Sequence, residues 1–408
     1  QGARPRRVVG PSEGAQRSEP GWIGGRAPTE LRRAALVVTS PTAGTQVFDG
    51  PDRGLRWSER PLPSSLMPGE VLVQMRLATI CGSDLHTLKG LRTEPVPAIL
   101  GHEGVGVVTA MGEPRKKTSE EPNEDRPLEI GDRVTWSIAD SCGHCVFCTT
   151  YGLPEKCRTV FKYGHAALSN GSGLNGCYAS HILLRPGTHI CRPAESLPDA
   201  VVAPANCALA TAINAISSIR PDQCHTALVQ GAGLVGLYTC ALLVDKGVKR
   251  VFCVDVDEGR LAIARRFGAT PVVGGEGPYS RAKQTLEEAA PWGLDAVIEA
   301  AGVSSLVPEG IRLLRPGGYY GFVGMVHPAT QLEGVTGEQI IRKCLTIRGV
   351  HNYAPRHLDQ AMAFLERTAS RYPYESLVSP PFALKDLAEA VSTAEQRQYL
   401  RVSVGGGR

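Results

Sequence analysis

The sequence has no long apolar segment and few aromatic residues. Each apolar run falls short of the roughly 18 consecutive residues that a membrane-spanning helix needs, so we expect a soluble protein. Phe, Trp and Tyr make up only 6% of the 408 residues. Apolar residues at 42% and charged residues at 21% lie in the ordinary globular range, which excludes a collagen, a coiled coil and a wholly disordered chain. This length favours about two to three domains.

Most of the chain also lacks an excess of charge of either sign. The formal net charge is +4, and residues 1–33 account for it with seven Arg against three Glu. Since the whole chain has 44 basic and 40 acidic residues, 37 of each remain beyond this segment. Nucleic-acid binding by the remaining chain therefore loses its main electrostatic argument. We interpret residues 1–33 as a disordered extension of a cytoplasmic protein or as part of an organelle transit peptide.

The 12 cysteines are too few for a disulfide scaffold, but they are not evenly spread. Cys142, Cys145, Cys148 and Cys157 lie within sixteen residues. Gaps of two, two and eight residues between them predict a four-thiolate zinc site of the structural type, because four protein ligands leave no coordination position open. His144 lies between two of these cysteines, and we expect it to face solvent rather than the metal.

Hydrophobic patterns indicate two kinds of structure along the chain. Up to about residue 200, strand-like alternation such as that of Glu70–Ile80 is interrupted by Pro and Gly, which is typical of an irregular, mostly β domain. From Thr226 onward, apolar strands alternate with helical segments, as in a doubly wound parallel sheet. Residues 112–129 are charged, lack an apolar period, and predict a surface insertion between two strands.

The pattern returns to mixed elements near residue 352. We therefore predict that residues 207–352 form a nucleotide-binding domain. This domain is inserted between two parts of the first domain, residues 34–206 and 353–408, and residues 1–33 form a tail outside both.

A Gly-rich turn follows an apolar strand and opens a helix. Gly231 allows the tight turn, Gly233 lets the backbone approach a pyrophosphate, and Gly236 lets helix and strand pack closely. The helix N-terminus supplies N–H donors to that pyrophosphate. Asp255 ends the next strand and there binds ribose hydroxyls and repels a 2′-phosphate, so we expect NAD rather than NADP. The predicted turn and helix start comprise Gly231, Ala232, Gly233, Leu234, Val235 and Gly236.

A second group of potential metal ligands is dispersed along the chain. Cys81 lies in CGSDLH, His102 and Glu103 lie in GHEGVG, and Cys207 lies in PANCALAT. Two thiolates and one imidazole would leave a fourth position of a zinc ion open, as in catalytic sites. Spacing alone does not join these residues, because each of them by itself is more often part of a core.

Taken in this order, CGSDLH, GHEGVG, the four-cysteine loop, the cysteine before ALAT and GAGLVG resemble the zinc-dependent medium-chain alcohol dehydrogenases over residues 34–405. The resemblance implies an α/β fold with a GroES-like, mostly β catalytic domain and an inserted Rossmann domain. It also implies an enzyme that oxidises a small-molecule alcohol with NAD and holds two Zn²⁺ ions per chain. A homo-oligomer of two or four chains is implied, with neither nucleic acid nor a membrane as partner. The last gap of the cysteine loop is one residue longer than in the family.

The resemblance implies roles for the residues around the catalytic zinc. Cys81, His102 and Cys207 match the zinc ligands of the family. Glu103 matches a carboxylate that can approach the metal when water or substrate exchanges. Asp84 matches the acid that orients the zinc-bound imidazole.

Further roles concern the proton and the cofactor. Ser83 and His86 match the hydroxyl and the imidazole that relay the alcohol proton to solvent. Thr211 matches a residue that packs near the nicotinamide. The glycine turn and Asp255 match the NAD site, and the four-cysteine loop matches the structural zinc site.

A narrower resemblance concerns the substrate. The segments SCGHCVFC, GLPEKC, KYGHAAL and LTIRGVHNYAPRHL resemble a subgroup described as phosphonate-catabolism-associated alcohol dehydrogenases. A phosphonate substrate would need cationic partners. The candidates in these segments are Lys162, His165, His351, Arg356 and His357.

Three alternatives stay open at this point. The first is a polyol or secondary-alcohol dehydrogenase with no phosphonate role. The second is a zinc-free quinone or enoyl reductase of the same superfamily, although such enzymes lack the Cys81, His102 and Cys207 set. The third is a zinc-ribbon interaction module, against which the absence of interleaved basic and aromatic residues around the cysteine loop argues.

Overall fold

A computed structural model describes residues 41–113, 126–274, 282–326 and 330–405. The predicted tail and most of the predicted surface insertion lie outside the described residues. No single helix within the described residues is long and apolar enough to cross a membrane. The segments Asp199–Asn206 and Ala208–Ile216 meet that criterion only as a pair bent by 52°, and eight of the nine residues of the second segment are buried.

The part of the described chain before residue 200 is mostly β-structure, as the Pro- and Gly-interrupted alternation predicts. Its strands in chain order are β1 (Thr42–Phe48), β2 (Leu55–Pro61), β3 (Val71–Ile80), β4 (Ala98–Ile99), β5 (Glu103–Met111), β6 (Arg133–Trp136), β7 (Ala139–Asp140), β8 (Phe161–Lys162), β9 (His181–Leu184) and β10 (Ile190–Cys191). Its helices are α1 (Gly82–Leu88), α2 (Val146–Thr149) and the 3₁₀ turn Pro154–Lys156. β3 pairs antiparallel with β5 and β9, and β5 pairs with β6.

The next part alternates strands and helices. Its strands are β11 (Thr226–Gln230), β12 (Arg250–Asp255), β13 (Thr270–Val273), β14 (Leu294–Glu299), β15 (Leu314–Phe322) and β16 (Thr346–Gly349). Its α-helices are α3 (Asp199–Val202), α4 (Ala208–Ile216), α5 (Leu234–Asp245), α6 (Glu258–Arg266), α7 (Ala282–Ala289), α8 (Val307–Leu313) and α9 (Gly337–Arg342). The 3₁₀ turns here are Ala203–Asn206, Pro221–Gln223 and Ser304–Leu306.

The six strands of this part form one parallel sheet in the order β13-β12-β11-β14-β15-β16. This confirms the predicted doubly wound sheet. The strand order reverses between β11 and β14, and ligands of such sheets bind at the carboxyl ends of the strands near that reversal. Gly231 follows β11, Asp255 ends β12, and Glu299 ends β14, so all three lie at this edge.

The end of the chain returns to the first β-structure. Its elements are α10 (Pro355–Thr368), the 3₁₀ turns Tyr374–Leu377 and Leu384–Asp386, β17 (Phe382–Ala383), α11 (Leu387–Glu395) and β18 (Val402–Gly405). β18 pairs antiparallel with β3, with Val402 opposite Ile80. Because Arg401 directly precedes β18 and Cys81 directly follows β3, this pairing places the two residues side by side.

Aromatic packing joins the parallel-sheet part to the C-terminal part. Phe267, at the end of α6, is fully buried. It stacks on Tyr372 with ring centroids 5.2 Å apart, and it meets Tyr374 edge-on at 5.6 Å. Such pairs add roughly 0.5–1.5 kcal/mol beyond the burial of apolar area, so Phe267 contributes strongly to this contact.

We therefore expect Phe267→Ala to lower the free energy of unfolding by about 3–5 kcal/mol, because it leaves a cavity and removes both ring contacts. Denaturant unfolding followed by far-UV circular dichroism measures this loss. Trp292→Ala serves as the control, because Trp292 is 86% exposed and its truncation should change stability by less than about 0.5 kcal/mol. Equal effects of the two variants would contradict the packing described here.

Candidate active site and metal centres

The fold brings together the dispersed residues Cys81, His102, Glu103 and Cys207. Their ligand atoms all lie within 4.8 Å of one another. Cys81 caps the N-terminus of α1, Glu103 begins β5 directly after His102, and Cys207 precedes α4. Chain segments far apart in sequence therefore meet at one point, which explains why spacing alone does not join them.

Glu103 is held by donors of the chain itself. Its carboxylate is fully buried and accepts a hydrogen bond from Thr79 Oγ1 at 2.5 Å. Arg401 donates to both of its oxygens, from Nε at 2.8 Å and from Nη2 at 2.9 Å. Burial raises the pKa of Glu103 to about 7, although the Arg401 charge opposes this shift. Both oxygens of Glu103 are thus engaged by the protein itself. The stronger candidate metal ligands are the thiols of Cys81 and Cys207 and the imidazole of His102.

Asp84 orients the imidazole of His102. Asp84 Oδ1 lies 3.4 Å from His102 Nδ1, and both side chains are buried. The other oxygen, Oδ2, accepts hydrogen bonds from the Cys81 backbone N–H and from the Tyr178 hydroxyl, each at 2.9 Å. Although burial opposes it, the Asp84 carboxylate raises the pKa of His102 well above its usual value. Because Nδ1 faces Asp84, Nε2 is the nitrogen left for a metal ion, as in known carboxylate–histidine–zinc arrangements.

The electrostatic surroundings favour a thiolate at Cys81. The hydrogen bond with the Cys207 thiol lowers the pKa of Cys81, and the Arg401 charge lowers it further. Arg401 Nη2 lies 3.6 Å from the Cys81 sulfur. Metal ligation needs deprotonated sulfur, so two cysteines and one carboxylate-oriented histidine form a donor set that fits zinc.

The residues matched to proton relay and nicotinamide packing lie around this cluster. Ser83 and His86 are both half-buried and three residues apart on α1, which places them on the same side of the helix. His86 lines a cleft of about 340 Å³ together with Gly233 and Arg401. Thr211 is half-buried, whereas the other residues of α4 are buried.

The four cysteines of the predicted structural site also converge. The sulfur of Cys148 lies 3.5 Å from that of Cys145 and 3.9 Å from that of Cys142, and Cys145 lies 3.9 Å from Cys157. Tetrahedral zinc with Zn–S bonds of roughly 2.3 Å has sulfur–sulfur edges of roughly 3.8 Å. The donor set and its spacing therefore fit zinc.

The loop that carries these cysteines accommodates its additional residue. Gly152 adopts a positive φ of 62°, and the turn Pro154–Lys156 then leads to Cys157. Cys157 accepts a hydrogen bond from the Cys142 backbone N–H at 3.3 Å. His144 is exposed and its Nδ1 lies 2.7 Å from the Cys142 carbonyl oxygen, which is the predicted orientation away from the sulfurs.

The glycine turn leaves room for a ligand at one position only. Gly231 has a φ of 103°, and a Cβ on it would lie 3.0 Å from Ala301. A Cβ on Gly236 would lie 1.9 Å from the Gly231 carbonyl oxygen. A Cβ on Gly233 would meet no atom within 4 Å. Gly231 and Gly236 are thus required by the turn and its packing, whereas Gly233 keeps open the space at the start of α5.

Asp255 both holds this turn and lines the adjacent cleft. Its carboxylate accepts hydrogen bonds from the Ala232 backbone N–H at 2.7 Å and from that of Asp257 at 3.0 Å. The cleft has a volume of about 510 Å³. Arg260, which the sequence argument misses, also lines it.

Three further residues, Leu234, Val235 and Glu299, lie at this edge of the sheet. Leu234 is buried and lines the second cleft, and Val235 is half-buried against the core. Glu299 is fully buried and accepts hydrogen bonds from the backbone N–H groups of Ala301 and Gly302. The sequence argument misses Glu299, although its position at the end of the strand in LDAVIEAAG is a usable signal.

A set of basic residues lies around His165, whose ring is next to that of His102, and we call it the basic cluster. Its members are Arg92, Lys156, Lys162, His165 and His351. The His165 ring lies 5.1 Å from the His102 ring, and His165 Nδ1 lies 3.1 Å from Glu94. Arg92 Nε contacts the same carboxylate at 2.6 Å. Lys156 Nζ donates to His351 Nδ1 at 2.7 Å.

The charges of the cluster shift one another's pKa values. Burial together with the charges of Arg92 and Lys156 lowers the pKa of Lys162 to about 8. Although His351 is exposed overall, burial of its ring and the charges of Lys162 and Lys156 lower its pKa to about 4. Arg92, Lys156 and Lys162 therefore repel one another, and Glu94, which pairs with Arg92 and His165, offsets part of this repulsion.

The remaining two candidate phosphonate partners have other surroundings. His357 is buried, and its Nδ1 accepts a hydrogen bond from the Ala354 backbone N–H at the start of α10. Arg356 is exposed. The expectation that these two residues bind the substrate is not supported by their placement, because local capping accounts for His357.

Comparisons with known proteins agree with this architecture. The family model "Alcohol dehydrogenase GroES-like domain" matches residues 67–194, and "Zinc-binding dehydrogenase" matches residues 235–367. A 5-exo-hydroxycamphor dehydrogenase of Pseudomonas putida is 31% identical over 79% of this chain and 88% of its own length.

Solved structures give the same result. An alcohol dehydrogenase of Thermotoga maritima superposes with a TM-score of 0.82 at 28% identity, over 89% of this chain and 99% of that one. An Escherichia coli CFT073 protein described as a short chain alcohol dehydrogenase, in complex with NADH, superposes with a TM-score of 0.74 at 25% identity, over 90% and 100%. The chain is thus an oxidoreductase, and it belongs to the zinc-dependent medium-chain alcohol dehydrogenase family.

Proposed function

We propose that this enzyme transfers hydride between NAD and an alcohol that carries an anionic group such as a phosphonate. The observation that carries the proposal is the basic cluster, whose His165 ring lies 5.1 Å from that of His102. Lys162 and His165, two residues of the narrower resemblance, meet Arg92 and Lys156 there. Glu94 already pairs with Arg92, so Lys156 and Lys162 are the cations of the cluster that would attract a substrate anion.

Two metal ions and one nucleotide are part of this proposal. Cys81, His102 and Cys207 would hold a zinc ion that would supply Lewis acidity toward an alcohol oxygen, and bound NAD would supply the hydride acceptor. A second zinc ion, held by the four cysteines that begin at Cys142, has a structural role.

The chain's own residues prepare the site for this chemistry. Asp84 fixes the ring of His102, and the Arg401 guanidinium favours the charged forms of Glu103 and Cys81. Ser83 would accept the hydroxyl proton and pass a proton on through the ribose hydroxyls of the cofactor to His86, which borders the cleft and would release a proton to solvent.

The nucleotide is proposed to lie along the edge of the parallel sheet. Open space at Gly233 and the N-terminus of α5 suit a pyrophosphate. Asp255 would face the ribose hydroxyls and disfavour a 2′-phosphate. Thr211, the half-buried residue of α4, would pack near the nicotinamide.

The proposed domain bounds follow the same division. Residues 207–352 bind NAD, and residues 34–206 with 353–408 form the catalytic domain. We propose a homo-oligomer that binds small molecules and has no membrane partner. We also propose that it has no nucleic-acid partner, since the chain beyond its first 33 residues has no net charge.

The first prediction tests the zinc ligands. Cys81→Ser should lower kcat by more than about a hundredfold. Loss of a residue that only hydrogen-bonds to a metal ligand already lowers activity or metal affinity about 10- to 100-fold, and loss of the ligand itself should lower activity further. NADH affinity, measured by fluorescence titration, should stay nearly unchanged. Cys344→Ser is the matched control, since Cys344 is exposed. Wild-type kcat in Cys81→Ser would refute the assigned ligand.

The second prediction concerns cofactor choice. Asp255→Asn keeps an oxygen acceptor for the Ala232 N–H but removes the negative charge that repels a 2′-phosphate. The ratio of kcat/KM with NAD to that with NADP should fall by about ten- to a hundredfold. Asp222→Asn, an exposed carboxylate, should leave the ratio as it is. An unchanged ratio in Asp255→Asn would reject the role of Asp255.

The third prediction concerns the substrate anion. The wild type should oxidise 2-hydroxyethylphosphonate with a higher kcat/KM than ethanol, its unphosphonated analogue. Lys162→Met should lower kcat/KM for the phosphonate by about ten- to a hundredfold, because a charge-assisted contact is lost. NADH absorbance at 340 nm measures both rates.

The controls for this third prediction separate an effect of Lys162 on anion binding from an effect on catalysis itself. Lys162→Met should leave turnover of neutral alcohols within about twofold, and Lys249→Met, at an exposed position, should change neither substrate. Preference of the wild type for neutral alcohols or polyols would keep the zinc dehydrogenase and reject the phosphonate role.

A further inference from the structure

A third convergent group of potential metal ligands lies outside the sites described above. It consists of His189, Cys191 and Asp359. His189 directly precedes β10, Cys191 ends that strand, and Asp359 lies in the second turn of α10. Residues two apart on a strand point to the same face, so the strand presents the imidazole and the thiol together toward the helix.

The three donor atoms form a small triangle. His189 Nε2 lies 2.7 Å from Asp359 Oδ1 and 3.4 Å from the Cys191 sulfur. The Cys191 sulfur lies 3.1 Å from the same Asp359 oxygen. All three atoms therefore face one point.

This arrangement does not suit a nucleophilic relay. In such a relay the base uses one ring nitrogen toward the nucleophile and the other toward the orienting carboxylate. Here Nε2 of His189 faces both the thiol of Cys191 and the carboxylate of Asp359. Convergence of a thiol, an imidazole and a carboxylate on one point is instead what a metal ion requires.

The donor set selects the class of metal. Sulfur and nitrogen ligands favour borderline divalent ions such as Zn²⁺ over the hard ions Mg²⁺ and Ca²⁺. Tetrahedral zinc with bonds of roughly 2.0–2.3 Å has ligand–ligand edges of roughly 3.3–3.8 Å. The observed triangle is slightly smaller, and the Asp359 side chain, 44% exposed, has the freedom to widen it.

The surroundings leave a fourth position toward solvent. Cys191 is buried, whereas the side chain of His189 is 21% exposed. Three protein ligands with one open side match zinc sites that complete their coordination with water. Bound metal would also tie α10 to β10.

We propose that His189, Cys191 and Asp359 form a third site for Zn²⁺ or a similar borderline divalent ion, separate from the two zinc sites of the proposed function. Wild-type protein equilibrated with micromolar free zinc should hold one equivalent more than Asp359→Asn or Cys191→Ser, by mass spectrometry of the metal. With Co²⁺ in place of zinc, the wild type should show sulfur-to-cobalt absorption that Cys191→Ser lowers by one site.

The controls carry the same chemistry outside the triangle. Glu366→Gln removes an exposed carboxylate of the same helix, and Cys344→Ser removes an exposed thiol. Both should retain the wild-type metal content. Asp359 is half-exposed, so far-UV circular dichroism of Asp359→Asn in the presence of chelator should show the wild-type secondary structure.

The test depends on the difference in metal content between the wild type and the variants Asp359→Asn and Cys191→Ser. If Asp359→Asn and Cys191→Ser hold as much metal as the wild type, the third site does not exist. If the sites at Cys81 or Cys142 are themselves empty, every protein loses those equivalents alike, and the difference of one remains. Failure of the proposed function is thus distinguishable from failure of the third site.

Discussion

The buried ion pair between Arg401 and Glu103 is the interaction on which the candidate site depends. Neither charge is tolerable alone at this depth, because a buried ion without its partner costs several kcal/mol. The pair therefore requires β18 to lie beside β3, so that the end of the chain closes the site that its first part begins. The guanidinium, once placed, also contacts the Cys81 sulfur. Two strand pairings, β18 with β3 and β3 with β5, thus bring a cation, a thiol and a carboxylate together.

Two physical devices shape the two halves of the active site. Around His102 the device is a buried polar network, in which Asp84 accepts hydrogen bonds from Tyr178 and from the Cys81 backbone while facing the imidazole. Such networks are stable only when nearly every member has a partner. Around the glycine turn the device is steric, since the carbonyl of Gly231 leaves no space for a side chain at Gly236. The first device fixes charges, and the second fixes the tight turn that leads into α5.

Local features were predictable from the sequence, and features made by long-range pairing were not. The four-cysteine loop and the glycine turn are each contained in a short segment, so spacing and neighbouring strand patterns predict them directly. The ligand set of Cys81, His102 and Cys207 needed a family resemblance, because three separate segments supply it. Arg401 had no signal at all, since only the register of β18 against β3 brings it to the site.

The site has two sides, and this arrangement would set the direction of a reacting molecule. Arg401 touches Cys81 and borders the cleft that contains Gly233. His165, with its ring 5.1 Å from that of His102, belongs to the basic cluster. Two candidate metal ligands therefore have different neighbours, since Cys81 contacts Arg401 of the cleft and His102 contacts His165 of the basic cluster. A molecule whose anion rests among the cations would present its hydroxyl-bearing carbon toward the nucleotide. Since orientation of this kind removes several kcal/mol from a barrier, the cations would contribute to the rate as well as to the choice of substrate.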